Sequence, residues 1–235
     1  MMFRGALFDM DGLLIDSERS IMSAWLSAAE QLGVAFSEHH YTAVVGRSSA
    51  ESDAIMIEAF GGIDSFELAR LTVEKRLIAL CASTGFAVKA GVKSLLATLV
   101  ERGVPCAVAS SSSFAEIEER LHMAGILHFF SSVAGGDEVP RGKPDPAVYL
   151  LAARRLGIPA TECLAFEDSH FGARAALAAG ARLVIVPDLL RPTAELASNC
   201  VTVLDSLEEA LPFVDTWFGP RRTEWPTARD LFPSR

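Results

Sequence analysis

Positive charge is scarce in this 235-residue chain: 21 Lys and Arg stand against 30 Asp and Glu, a formal net charge of −9. That balance excludes an extended nucleic-acid face, although one local basic group could still hold a phosphate. Cysteine is scarce too. Cys81, Cys106, Cys163 and Cys200 lack close metal-ligand spacing, and three of them sit in apolar, strand-like stretches. Buried free thiols in a reducing, cytoplasmic setting are the expectation. No apolar run reaches transmembrane length, and the opening MMFRGALFDMDG lacks a basic region followed by a long apolar stretch and a cleavage site. Neither a membrane partner nor a secretory leader is expected.

What is present belongs to a folded globular protein, half apolar and 22% charged. The length suits one large α/β domain, or a core with a smaller appended domain. ALFD opens the chain as a strand too apolar for an exposed edge. Residues 17–85 then change character. SERSIMSAWLSAAEQLG sets Ile21, Trp25, Ala28 and Leu32 at helical intervals behind Ser17, a candidate cap, and two further helical stretches follow with no convincing strand. Trp25 and Phe36 fit packing positions here. From VKSLLATLVERG onward, helices alternate with short β-rich runs: PCAVA, FFSSVAGG, CLAFEDS, RLVIVPD and VTVLDS. This alternation predicts a parallel sheet covered on both faces. The expected division is a core of residues 1–16 and 86–215, a helical insertion at 17–85, and a tail at 216–235 laid along the surface.

In a parallel α/β sheet, ligands gather at the carboxyl ends of the strands. Four polar clusters fall there: Asp9 and Asp11 after ALF, Ser110 to Ser112 after PCAVA, Lys143 in GKPDP, and Glu167 with Asp168 after CLAF. An aspartate at a strand end often does nothing more than cap a turn. Brought together unpaired, however, these carboxylates would repel one another, and a hard cation such as Mg²⁺ removes that difficulty while leaving positions for water and a phosphate oxygen. Lys143 adds a second positive point, and the serine hydroxyls and turn amides can donate to phosphate. Together these groups describe a phosphoryl-transfer site acting on a small phosphorylated molecule. Asp9 is the candidate nucleophile and Asp11, two positions later, the candidate acid/base. Gly12 permits the sharp turn that follows.

These motifs resemble those of the haloacid dehalogenase-like superfamily, in its β-phosphoglucomutase-like phosphatase branch, over nearly the whole chain. FDMDGLLIDSE resembles the first signature, ASSS the second, GKPDP the third and FEDSHFGARAALAAG the fourth. The resemblance implies that Ser110 binds phosphate, with Ser111 beside it, and that Lys143 orients the nucleophile and phosphate. It implies that Asp9, Asp168, the Asp11 backbone carbonyl and Glu167, directly or through water, surround Mg²⁺. It also implies a doubly wound, Rossmann-like core with a mobile helical cap inserted after the first strand, hinged near residues 14–17 and 82–88.

Asp11 argues for phosphate-ester chemistry, since related dehalogenases and phosphonate hydrolases generally lack this second aspartate. The mutases of this branch keep a histidine in the first cap helix, where Ile21 stands here, and a cap arginine that Arg47 in VVGRSSAES matches only in a shifted position. Both departures favour a Mg²⁺-dependent phosphomonoesterase over a phosphosugar mutase. A non-catalytic phosphate-binding regulator would need a damaged nucleophile, acid/base or lysine, and all three are intact. Arg47 and His170 are the candidate specificity residues. Asp145 is expected to shape the GKPDP turn, and Ser169 to cap the helix that follows it. A monomer or weak homodimer is expected.

Overall fold

The structure is a computed structural model that describes residues 2–45, 47 and 49–220. Six strands form one parallel sheet: β1 (Gly5–Phe8), β2 (Cys106–Ala109), β3 (Ser132–Ala134), β4 (Cys163–Glu167), β5 (Arg182–Ile185) and β6 (Thr202–Val203). Their spatial order is β3-β2-β1-β4-β5-β6. The chain winds outward from β1 through β2 to β3, then crosses back to start β4 on the other side of β1. The topological switch therefore lies between β1 and β4, where such sheets bind ligands. β1 pairs on both sides and is covered on both faces, which is why GALF is apolar throughout. Alternate residues feed two cores. Ala6, Phe8, Val108 and Phe166 face one side, packing with α5 (Val92–Glu101) and α6 (Phe114–Met123). Leu7, Ala107 and Ala165 face the other, with α7 (Ala147–Leu156) and α8 (His170–Ala178).

Between β1 and α5 the described residues form helices and turns: α1 (Glu18–Leu32), α2 (Glu38–Thr42), α3 (Ser49–Ala59) and α4 (Ile63–Ser83). They have a core of their own, in which Ala24, Ala28 and Ala69 allow close approach of α1 and α4. Trp25 stacks on Phe66 at 5.7 Å between ring centroids, and Phe36 packs on Phe60. The two segments joining this helical cap to the sheet run antiparallel, tied by Asp16 N–H to Ala87 O (2.8 Å) and Lys89 N–H to Leu14 O (3.0 Å).

The C-terminal part holds β6, α9 (Ala194–Asn199) and α10 (Val214–Phe218). The expectation of an extended segment beginning at residue 216 is corrected for its first residues. Trp217 is buried in α10, stacks on Phe213 and receives the Phe3 amide on its carbonyl. The aromatic content that suggested a surface strap is what anchors the helix. Residues 221–235 of the expected tail lie outside the described residues. All four cysteines are free thiols, and burial pushes Cys106 up to about 12. Among the described residues no helix is long and apolar enough to cross a membrane.

Candidate active site

A cavity of about 290 Å³ opens between the carboxyl ends of the strands and the cap. Asp9, Asp11, Ser110, Ser111, Lys143 and Asp168 all line it, although they come from four separate stretches of chain. Asp9 follows β1 directly, and its amide bonds to Phe166 O across the switch point, so β1 and β4 fix it together. Lys143, with a side chain only 2% exposed, donates to Asp9 Oδ1 and to Glu167 Oε1, each at 2.5 Å. Burial alone would pull Lys143 down, but the two carboxylates outweigh it and raise its pKa, so the ammonium is charged.

Glu167 is fully buried and saturated. Its Oε1 accepts from Lys143 and Tyr149 (2.8 Å); its Oε2 accepts from the Asp168 amide, the Ser169 amide and the Ser169 hydroxyl at 3.0–3.1 Å. Ser169 Oγ also accepts from Gly172 N–H, capping α8 as the sequence suggested. Any Cβ at Gly172 would run into the Glu167 carboxylate, which accounts for the glycine in FEDSHFG. At Gly12, with φ +83°, a Cβ would strike Asp168.

Asp9 and Asp168 stand differently. The second Asp9 oxygen and both Asp168 oxygens accept no hydrogen bond among the described residues. Oxygens of Asp9, Glu167 and Asp168 can be chosen that lie within 4.8 Å of one another. One ammonium faces three buried carboxylates. Burial, reinforced by Glu167 and only partly offset by Lys143, raises Asp9 from 3.8 to about 8; burial and the neighbouring carboxylates raise Asp168 as well. This uncompensated, oxygen-only donor set fits a hard divalent cation. Asp9 and Asp168 have oxygens to offer it, whereas those of Glu167 are engaged by Lys143 and Tyr149 on one side and by the Asp168 and Ser169 donors on the other.

Asp11 sits on the cavity wall with its oxygens supplied by Ser17 Oγ (2.6 Å), Ser112 Oγ (2.9 Å) and Arg120 (3.1 Å). Ser17 is thus not the α1 side-chain cap that the sequence suggested: its buried hydroxyl goes to Asp11. Ser110 Oγ accepts the Ser112 amide at 3.1 Å, and Ser111 Oγ is buried with no partner among the described residues. Asp145 Oδ1 accepts the Ala147 amide and shapes the turn after Lys143.

On the cap side, Arg47 lines the cavity. Its Nε donates to Ala43 O, and its guanidinium stacks 4.2 Å over Phe171 of α8, so it spans cap and core. His170 is not brought to the cavity, contrary to its expected role in specificity. Its ring turns to Arg191 O at 2.8 Å, because α8 starts with that face toward the loop after β5. Sequence reading passed over Glu18 and Tyr41, which also line the cavity. Tyr41 donates to Glu18 Oε2 at 2.6 Å, and burial raises Glu18 from 4.5 to about 7. Arg120 was missed too. It lies on α6, one helix beyond the serine turn, and only the fold carries it back to Asp11.

A family model described as haloacid dehalogenase-like hydrolase matches residues 3–180. The chain is 33% identical over 176 residues to a phosphorylated carbohydrates phosphatase of Thermotoga maritima, covering 74% of this chain and 80% of that protein. It is 32% identical over 180 residues to the fructose-1-phosphate phosphatase YqaB of Escherichia coli, covering 76% and 93%. Among solved structures, CbbY from Rhodobacter sphaeroides in complex with phosphate superposes with a TM-score of 0.72 at 27% identity, covering 89% and 96% of the two chains.

Proposed function

The chain belongs to the haloacid dehalogenase-like hydrolases and is a phosphoric monoester hydrolase, and from that premise we propose that it cleaves a small sugar phosphate or a related metabolite through Asp9. The observation that carries this reading is the Lys143 bridge between Asp9 and Glu167 at the switch point, with Asp11 and Asp168 facing the same cavity. Lys143 aligns the Asp9 oxygen it holds for in-line attack on phosphorus and leaves the other oxygen for the cation. As the new P–O bond forms, the ester P–O bond breaks and Asp11 gives its proton to the departing alkoxide. Asp11 then takes a proton from the water that splits the aspartyl-phosphate, which returns free Asp9 and inorganic phosphate. The unpartnered Ser111 hydroxyl, the Ser110 hydroxyl and Lys143 are the groups offered to the phosphoryl oxygens. Asp9, Asp168 and the Asp11 carbonyl would hold Mg²⁺, which supplies charge neutralisation for the phosphoryl group when bound.

The cap supports hydrolysis rather than transfer between two positions of one sugar. Ile21, where a mutase-like histidine would stand, lines the cavity and has no proton to exchange. Arg47 and the Glu18–Tyr41 pair meet the leaving group there, the arginine as donor and the carboxyl as acceptor for hydroxyls. The experiment is a panel of sugar phosphates, hexitol phosphates and phosphoglycolate, assayed for phosphate release with and without Mg²⁺. At least one sugar or hexitol phosphate is expected to turn over only with Mg²⁺, and Asp9→Asn should lower its kcat by at least about 10³-fold. Conversion of β-glucose 1-phosphate to glucose 6-phosphate without phosphate release would replace this reading with the mutase one.

A further inference from the structure

Asp188 follows β5 in the sequence VPD, at the carboxyl end of the strand next to β4. Its side chain is 1% exposed, and three segments converge on it. Arg19 from the first turn of α1 reaches Oδ1 at 2.5 Å, and Lys89 from the returning cap connection reaches the same oxygen at 2.6 Å. Both cations use Oδ1. The other oxygen, Oδ2, is buried and has no hydrogen-bond partner among the described residues. It is turned toward Gly12, 3.4 Å from the point where a side chain at that residue would begin, and Asp168 Oδ2 crowds the same point from the catalytic side. Two carboxylate oxygens without donors thus flank one glycine at the edge of the acidic cluster.

A buried carboxylate oxygen is costly to leave unpaired, so the arrangement calls for a donor at that place. The nearby protein cations are spent on Oδ1. Mg²⁺ dehydrates reluctantly, and the waters it keeps are strong donors that need acceptors beyond the first ring of ligands. We infer that Asp188 Oδ2 accepts from a water carried by the divalent cation at Asp9 and Asp168, so that Asp188 is a positioning residue linking the cation site to both cap connections. The inference rests on the metal reading above and adds to it the link with Arg19 and Lys89. Gly12 is what lets the two carboxylates approach, because a side chain there would fill the space between them.

Asp188→Asn keeps the side-chain shape but offers a donor group in place of an acceptor. Calorimetric titration of the metal-free chain with MgCl₂ should give this variant a Kd at least about tenfold weaker than the unsubstituted protein. Asp168→Asn should show no binding. An unchanged Kd in Asp188→Asn beside lost binding in Asp168→Asn overturns the role of Asp188 and leaves the metal reading intact. Full binding in Asp168→Asn overturns the metal reading and this inference with it. If Asp188→Asn does not fold, hydrogen exchange of the unsubstituted chain decides. Mg²⁺ should slow exchange of the Asp16 and Lys89 amides by about threefold or more, through local openings that the link restrains. Exchange there that ignores Mg²⁺ overturns the link.

Discussion

The core buries a glutamate and the cap half-buries one beside the cavity, and they treat it in opposite ways. Glu167 in the core receives five hydrogen bonds from Lys143, Tyr149, Asp168 and Ser169. Glu18 in the cap receives one among the described residues, from Tyr41, and burial raises it to about 7. The core carboxylate is held in place before any ligand arrives, as a group that must position a lysine within a fraction of an ångström should be. The cap carboxylate is left under-supplied beside open cavity, where a substrate hydroxyl can complete its bonding. These two treatments support the proposed division, with the chemistry on the sheet and recognition on the helices.

The core carboxylates depend most on a single residue, Lys143. Lys143→Met leaves Asp9 and Glu167 buried without their cation. Removing one partner of a buried ion pair costs roughly 3–5 kcal/mol. The raised pKa of Lys143 means its contribution is fully present below the ordinary lysine value, so the loss should be complete at pH 7. Denaturant unfolding at that pH should show it, together with a fall in kcat of at least about 10²-fold. A variant as stable as the parent would mean that the bridge is not what holds the two carboxylates.

A cap substitution should act on recognition and spare the fold. Arg47→Ala removes the guanidinium that stacks over Phe171 at the cavity edge. A hydrogen bond from the guanidinium to the leaving group is worth on the order of 1 kcal/mol, so kcat/KM should fall by about tenfold or less. Thermal stability should change little. Loss of stability with unaltered kinetics would make Arg47 a strut between the lobes and remove it from recognition.

The same contrast governs what could be read from the sequence. The core site was legible because Asp9, Ser110 and Asp168 each follow an apolar strand directly, and a parallel sheet brings strand ends together whatever the loops do. Lys143 joins them from the loop between β3 and α7, where the GKPDP motif marked it. The cap wall was not legible, because Glu18 and Tyr41 are 23 residues apart on two helices whose packing angle no local pattern specifies. His170 was misplaced by the opposite error. Adjacency to Asp168 in sequence does not survive the turn into α8, which points successive side chains about 100° apart. Ser17 was misread because a serine ahead of a helix usually caps it, whereas here a carboxylate one turn away competes for the hydroxyl.

The smallest expected effect tests the cap glutamate itself. Glu18 has a folded pKa of about 7 against an ordinary 4.5, so the folded state holds its proton more tightly than the unfolded state does. Its contribution is fully present below the ordinary value and is lost as pH rises from about 4.5 through about 7. Glu18→Gln keeps an oxygen for Tyr41 and removes the charge that burial penalises. The difference in Tm between variant and parent should therefore move in the variant's favour by a few degrees between pH 5 and pH 8. It should do so without Mg²⁺, since Glu18 lies outside the acidic cluster of Asp9, Glu167 and Asp168. A pH-independent difference would mean that Glu18 already has the partners it needs, and that the cap is as fully bonded as the core.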